Sequence, residues 1–509
     1  MGTKSRLVAT TSLVSLAGLA GVAALGGGLA AVQPLVAVVA VVAVALVGLA
    51  AYWPYVLRLC RESAWAVPAI IAILAILVDF AGVQSSAGPF RYSATALVAG
   101  VALILREPEL IGARATRVTA TLLFLYGVGG TLYGRIAYGS PDGALPVAAP
   151  LLLIVLGPLR PPVGDEATVR ALKLLSVLGS AYALATVASY AALGPGAAPV
   201  YNHEKAFLIV LGFGTALAAR SKVLMGFAVL AAGLAFSQYP AATYVVAALA
   251  GLLTILVVRM RLGALTRVAA AAVILPGTVL AVLHVDSLIT FSTSYFAAVG
   301  KTNNGSTRSA LYRLALDHID RAPWMSDFFT GNLTVITKLA GQSGVVIPVH
   351  NDYLGAALGG GIVAAGLFIG IFLFANGLAL RTLATVSPMR RRAIVALLAS
   401  LNAAAVTAFA NPVFMNPGSS VAVYSILIGL MTLCVRRKPA PRAPGDALTT
   451  RRLQPVINAE ELRVEPAIRG ASQGQLSEIQ AATGCGQRWS ATLGTLVALE
   501  RTTADHERI

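Results

Sequence analysis

Through its first 435 residues the chain repeats one pattern, an apolar run followed by a short polar break. The runs are roughly 14 to 27 residues long, and most approach the length a helix needs to cross a hydrocarbon core of about 30 Å. In lipid, backbone groups must be hydrogen-bonded within the protein, so such runs are expected to be helices packed on one another. Composition agrees: 57% of residues are hydrophobic and 12% charged, with mean hydropathy +0.79. An ordinary soluble domain carries about twice that charged fraction. The expectation is an all-α polytopic integral membrane protein with about 14 (12–14) transmembrane helices.

Candidate spans lie near 9–30, 33–53, 65–82, 92–105, 118–133, 144–158, 172–193, 205–219, 223–237, 241–258, 268–286, 352–378, 393–410 and 420–435. The opening MGTKSRLVATTSLVSLAGLAGVAALGG resembles a signal peptide, but its apolar run is long and a second follows at once, which predicts an uncleaved first span. Cys60, Cys434 and Cys485 fall at inner ends or in the tail, so no external disulfide is expected.

The basic residues set the orientation. With the N-terminus inside, the inner loops carry Arg58 and Arg61; Arg106, Arg114 and Arg117; Arg160, Arg170 and Lys173; Arg220 and Lys222; Arg259, Arg261 and Arg267; and Arg381 with Arg390 to Arg392. The short outer loops hold only Arg91, Arg135 and Lys205. This asymmetry predicts an even number of spans and two cytoplasmic termini. It also accounts for the formal charge of +17 without invoking nucleic acid.

Two stretches break the pattern. Residues 287–351 form a long polar insertion on the outer side. Residues 436–509, rich in Arg, Pro, Ser and Thr, read as a mostly disordered cytoplasmic tail with a short helix at 457–464 or 474–483. Arg436, Arg437 and Lys438 at its root suit contact with anionic lipid. The polytopic membrane domain is thus 1–435.

Ionisable residues gather on the outer face. No acid falls at a mid-membrane position; Asp79, Asp286 and Asp352 lie at outer span ends, His203, His284, His318 and His350 fall on the outer side, and His506 is in the tail. A proton- or sodium-driven transporter would carry a carboxylate near the midplane.

The outer loop has distinct parts. STRSALYRLALDHIDRAPW (306–324) reads as an amphipathic helix with Ser306 as N-cap, Leu311, Ala315 and Ile319 on one face, and Pro323 at its end. Such a helix would lie on the membrane surface or over a cavity mouth. Arg308 and Tyr312 are neighbours four apart along the apolar side, and Arg313 points the other way. DFFTGNL (327–333) and AGQSGV (340–345) read as Gly-containing loops. VIPVHNDYLG (346–355) then opens the next span.

Asn351 or Asp352 can cap that helix, whose first amides attract phosphate. A histidine beside them, His350, would stay neutral and ready to accept a proton. Arg308 can pair with phosphate in a bidentate way. These groups suit an enzyme with a pyrophosphate leaving group. A blander reading stays open, in which Asn351 and Asp352 only cap, His350 only marks the interface, and both arginines lie on the membrane surface. NGS (304–306) and NLT (332–334) match glycosylation sequons, but an Arg-, Ala- and Gly-rich chain of bacterial type makes them chance matches.

The loop resembles the signature of bacterial O-antigen ligases and related O-antigen or exopolysaccharide polymerases. The resemblance rests on TRSALYRLALDHIDRAPW, then VHNDYLGAALGGGIVAAGLF, and on the preceding spans from NHEKAFLIVLGFGTALAARSK onward, and covers roughly residues 200–435. It implies a polytopic helical fold related to the C-type glycosyltransferases. The implied enzyme is a metal-independent inverting transferase without a cofactor, acting outside the bacterial cytoplasmic membrane. Its donor would be a glycan on undecaprenyl pyrophosphate, and its acceptor lipid- or glycan-type. By the same resemblance His350 would activate the acceptor hydroxyl, Arg308 would hold the pyrophosphate, and Arg313 would match a second substrate site with Tyr312, Asn351 and Asp352 nearby. The family's Ser-Arg at an outer span end is absent: FSQYPAATY puts Gln238 or Tyr239 there, and Lys205 would substitute. Two other classes compete, a lipid-linked oligosaccharide flippase and a non-catalytic membrane scaffold.

Overall fold

A computed structural model of the chain describes residues 53–79, 87–108, 110–138, 145–197, 202–238, 242–259, 305–326, 334–339, 342–348, 350–409, 411–414 and 416–437. The chain divides into two units, 1–438 and 439–509, and every described residue belongs to the first. The expected spans at 9–30 and 268–286, all but the last residue of that at 33–53, and the tail beyond 437 lie outside the described residues.

The described part is dominated by helices. In chain order they are α1 (Trp53–Glu62), α2 (Val67–Asp79), α3 (Ala87–Leu105), α4 (Arg114–Tyr138), α5 (Leu145–Leu156), α6 (Asp165–Ala197), α7 (Phe207–Ala218), α8 (Lys222–Gln238), α9 (Ala242–Arg259), α10 (Gly305–Arg321), α11 (Asp352–Thr382), α12 (Pro388–Thr407) and α13 (Pro417–Cys434). A helix overlaps each of the other eleven candidate spans. Helix α6 runs well beyond its expected ends, and α1 is a short helix where a loop was expected.

Four short strands join the helices. β1 (Leu110–Ile111) pairs antiparallel with β4 (Arg436–Arg437), and β2 (Thr334–Leu339) with β3 (Gln342–Pro348). The second pair occupies much of the segment read as Gly-containing loops. Its Val, Ile and Thr residues favour the extended backbone.

Two helical stretches, Asp165–Ala188 and Asp352–Thr382, are long and apolar enough to cross a membrane. A third crossing exists if Pro54–Glu62 and Ala64–Leu77, which meet at 100°, form one broken span. Leucine, isoleucine, valine and phenylalanine side chains stand exposed along α3, α4, α8, α9 and α11, among them Leu97, Ile104, Leu125, Leu230, Leu252 and Phe374. An outward apolar surface of this extent is unusual for a water-soluble protein.

Inside, α13 is the hub. It carries no charge, and every residue from Val421 to Val435 is buried. It packs against α2, α3, α5, α11 and α12. Helix α12 links this layer to α7 and α9. There Asn376 of α11 and Asn402 of α12 exchange two amide hydrogen bonds of 3.0 and 3.1 Å, and Asn402 Nδ2 also donates to Thr254 Oγ1 of α9 at 3.2 Å. These polar groups satisfy one another across three helices, as buried amides in an apolar interior must.

Helices α6 and α7 approach through glycine. A Cβ added to Gly179 would sit 2.6 Å from the Gly212 Cα and from the Leu208 carbonyl oxygen, whereas one added to Gly212 would meet its nearest atom at 3.1 Å. The first cannot be accommodated without parting the helices. At the opposite end of the bundle from the α11 N-terminus, Arg390 binds the last carbonyls of α13, donating to Leu433 O (2.5 Å), Thr432 O (3.1 Å) and Val435 O (2.8 Å). Gly179→Ala is therefore expected to destabilise the protein by about 1–3 kcal/mol, and Gly212→Ala by clearly less. Thermal unfolding of the two variants in detergent checks this order.

Candidate functional site

The site is built on the first turn of α11. Asn351 takes an extended backbone (φ −151°, ψ 111°) and caps the helix, its Oδ1 accepting from Tyr353 N and Leu354 N at 3.0 Å each. The neighbouring amides are also used: Asp352 N donates to Ala408 O at 2.9 Å and Gly355 N to Asn351 O at 2.8 Å. The expectation that these amides face a phosphate is therefore not met, because the cap and the α12 terminus already bind them. Asn351 Nδ2, by contrast, is buried without a hydrogen-bond partner among the described residues.

Asp352 is 1% exposed, and its Oδ2 accepts from Phe414 N at 2.7 Å. Its carboxylate thus ties α11 to the connection between α12 and α13. His350 precedes the cap with φ +53°, a left-handed backbone uncommon for a residue with a Cβ. It is only half-buried, unlike Asn351 and Asp352.

Tyr312 brings the loop helix to this point. Its hydroxyl donates to Phe409 O at 3.2 Å and approaches His350 O at 3.4 Å. Leu311, Tyr312, Ala315 and Ile319 of α10 pack on Leu354, Ala357 and Leu358 of α11, which is the face expected from the sequence. Of the two expected settings for α10, membrane surface or cavity mouth, the described contact is with α11. Arg313 is exposed on the other side of α10. Arg308 belongs to α10, one turn before Tyr312; its side chain lies outside the described residues.

Beyond α10 the chain makes a further contact that the sequence did not suggest. Helix α11 is broken at Gly360 (φ −134°, ψ 19°) and Gly361 (φ 67°, ψ −168°), about 14 Å along its axis at 1.5 Å per residue. The turn after α10 fills the break. Ile362 N donates to Pro323 O at 2.8 Å and Val363 N reaches Trp324 O at 3.4 Å. Ser326 Oγ donates to Leu358 O at 2.5 Å, and the Tyr126 hydroxyl of α4 donates to Gly360 O at 3.2 Å. A Cβ at Gly361 would stand 2.2 Å from the Trp324 carbonyl oxygen, so only glycine admits this backbone approach.

Lys205 is 7% exposed at the end of the 3-10 turn Asn202–Lys205, with Nζ 3.6 Å from Glu204 Oε1. The same Glu204 oxygen accepts from Asn416 Nδ2 at 2.5 Å. Asn411 Nδ2 donates to Thr243 Oγ1 at 3.2 Å. The connection 408–416 is therefore gripped by Asp352 on one side and Glu204 on the other. His350, Asn351, Asp352 and Tyr312 meet around it directly, Lys205 joins through Glu204, and Arg313 stands apart. Gln238 and Tyr239 lie outside the described side chains.

Glu204, Asn411, Asn416, Tyr126 and Gly361 were not picked out from the sequence. The two Asn-Pro pairs in AFANPVFMNPG carried a signal, because Asn before Pro marks a helix start: Asn416 caps α13 with Pro417 in its first turn. Comparison with known families finds no family model that matches the chain, and comparison with characterised proteins finds no significant match.

Asp352→Ala leaves the Phe414 amide buried and unbonded. It is expected to cost about 1–3 kcal/mol, seen as a lower unfolding temperature in detergent, whereas Arg313→Ala is expected to leave that temperature unchanged. Gly361→Ala should expel the Trp324 turn, and faster chymotryptic cleavage after Trp324 would report it.

Proposed function

We propose that the protein is an inverting, metal-independent glycosyltransferase of the bacterial cytoplasmic membrane, acting at its outer face. It transfers or polymerises a glycan from an undecaprenyl-pyrophosphate-linked donor onto a lipid- or glycan-type acceptor. In this reading residues 1–435 cross the membrane 12 to 14 times, both termini are cytoplasmic, and the loop 287–351 lies outside.

The observation that carries the reading is the held backbone of half-buried His350. Its carbonyl lies by the Tyr312 hydroxyl, and the next two residues are locked by the Asn351 cap and the Asp352–Phe414 bond. A base that must meet a hydroxyl and a sugar in one geometry needs a backbone held in this way. His350 takes the proton of the acceptor hydroxyl as its oxygen attacks the anomeric carbon from the face opposite the pyrophosphate. The carbon–oxygen bond to pyrophosphate breaks, the configuration inverts, and the lipid pyrophosphate leaves. Arg308 offsets the charge that develops on it. Arg313, on the outer side of α10, contacts the glycan away from the reacting bond.

The break in α11 favours a second reading, because discontinuous helices mark many transporters. In those, the ends of the half-helices face a cavity. Here carbonyls of the 323–324 turn and the Tyr126 and Ser326 hydroxyls occupy them, which supports a docking seat for the loop over an open transport site.

The test is complementation of a strain lacking this chain by wild type, His350→Ala and Arg308→Ala at matched membrane levels. Both variants are expected to lower finished surface glycan by about 10²- to 10⁴-fold while lipid-linked donor accumulates on the outer leaflet. Accumulation on the inner leaflet would favour a flippase, and normal glycan in both variants would end the transferase reading.

A further inference from the structure

The polar junction of α3, α4 and α5, away from the α11 mouth, holds a cation that forms no ion pair among the described residues. Arg117, at the fourth position of α4, is half-buried; its Nε is fully enclosed and has no hydrogen-bond partner among the described residues. Its one described bond is from Nη2 to Val155 O, at a long 3.4 Å. Capping the α5 C-terminus explains that nitrogen but leaves Nε unsatisfied. The guanidinium lies against buried Gly157, at φ +89°, where an added Cβ would come within 2.9 Å of Cζ and Nε. A side chain at that position would fill the space the guanidinium occupies.

The charge next to Arg117 is of like sign. Arg106, at the end of α3, is exposed and bears electrostatically on Arg117. Its backbone bridges to Leu159, and Arg160 N donates to Leu105 O at 3.0 Å, so a third arginine leaves the chain beside it. Among the described residues neither Arg106 nor Arg117 forms an ion pair. Glu107, the adjacent acid, pairs with neither, and Glu109 lies outside the described residues. The bridge sets Arg106 and Arg160 side by side, Arg106 bears on Arg117 in the first turn of α4, and the N-terminus of that helix adds its partial positive charge, so the junction favours an anion.

We propose that Arg117 and Arg106, with Gly157 as the floor, bind a phosphate group at the junction of α3, α4 and α5. An anionic phospholipid headgroup and a soluble phosphate share this chemistry. The site is separate from the mouth of α11 and does not depend on the transferase reading. Arginine suits it because its planar fork meets two phosphate oxygens at once.

The test uses the full chain in detergent, titrated with phosphatidylglycerol, phosphatidylcholine or inorganic phosphate, with unfolding temperature and native mass spectrometry as readouts. Phosphatidylglycerol is expected to raise the unfolding temperature and stay bound, phosphatidylcholine to do neither, and Arg117→Gln to weaken retention at least fivefold. Arg106→Gln is the second variant, because its exposed side chain can be changed without disturbing the α5 cap. Stabilisation by inorganic phosphate alone, lost in both variants, would support the site and assign it to a soluble phosphate. Equal binding of every ligand by wild type and Arg106→Gln would overturn the proposal.

Discussion

The bond from Phe414 N to the Asp352 carboxylate is the constraint on which the α11 mouth of the bundle depends. A buried carboxylate is tolerated only where donors meet it, and here the donor comes from a connection 62 residues away in sequence. Through that bond the start of α11, the end of α12 and the start of α13 share one fixed corner. The Asn351 cap, the His350 backbone and the Tyr312 contact all hang from it. Glu204 grips the same connection two residues further on, and its neighbour Lys205 is held buried by the ion pair.

The helical architecture was legible in the sequence because burial in an apolar medium demands long apolar runs. Their positions fell where Gly, Pro and Arg interrupt the runs. The buried face of α10 was legible too: Leu311, Ala315 and Ile319 recur at helical spacing and all three are buried. That Asn351 or Asp352 would cap α11, a role that falls to Asn351, followed from residue type. What Asp352 binds did not, because nothing local to HNDY points to Phe414. The strands at 334–339 and 342–348 were hidden by the glycines around them, although TVITKL and GVVIP carry the β-branched residues of a hairpin.

The break at Gly360–Gly361 shows a different limit. Three glycines in a membrane-length apolar helix read equally well as a seam for close packing. Only the partner decides, and the partner is a turn of the preceding loop with no motif of its own. The two ends of the bundle also treat cations in opposite ways. Lys205 is paired with Glu204 at the α11 mouth. Arg390 is spent on the carbonyls of α13 at the other end, while Arg117 Nε has no hydrogen-bond partner among the described residues.

The seat of the Trp324 turn in α11 also sets an order of assembly. The bonds between the turn and α11 join residues fewer than forty apart, and Tyr126 of α4 precedes both, so this seat can close as soon as α11 has been synthesised. The corner at Asp352 cannot close until residue 414 has been made. Until then the chain carries an acid at the head of α11 that lacks its amide donor, and the strained backbone of His350 is unsupported on that side. The mouth of the bundle is thus among the last parts to take shape, and a chain halted within α12 would hold a seated loop beside an unfinished mouth.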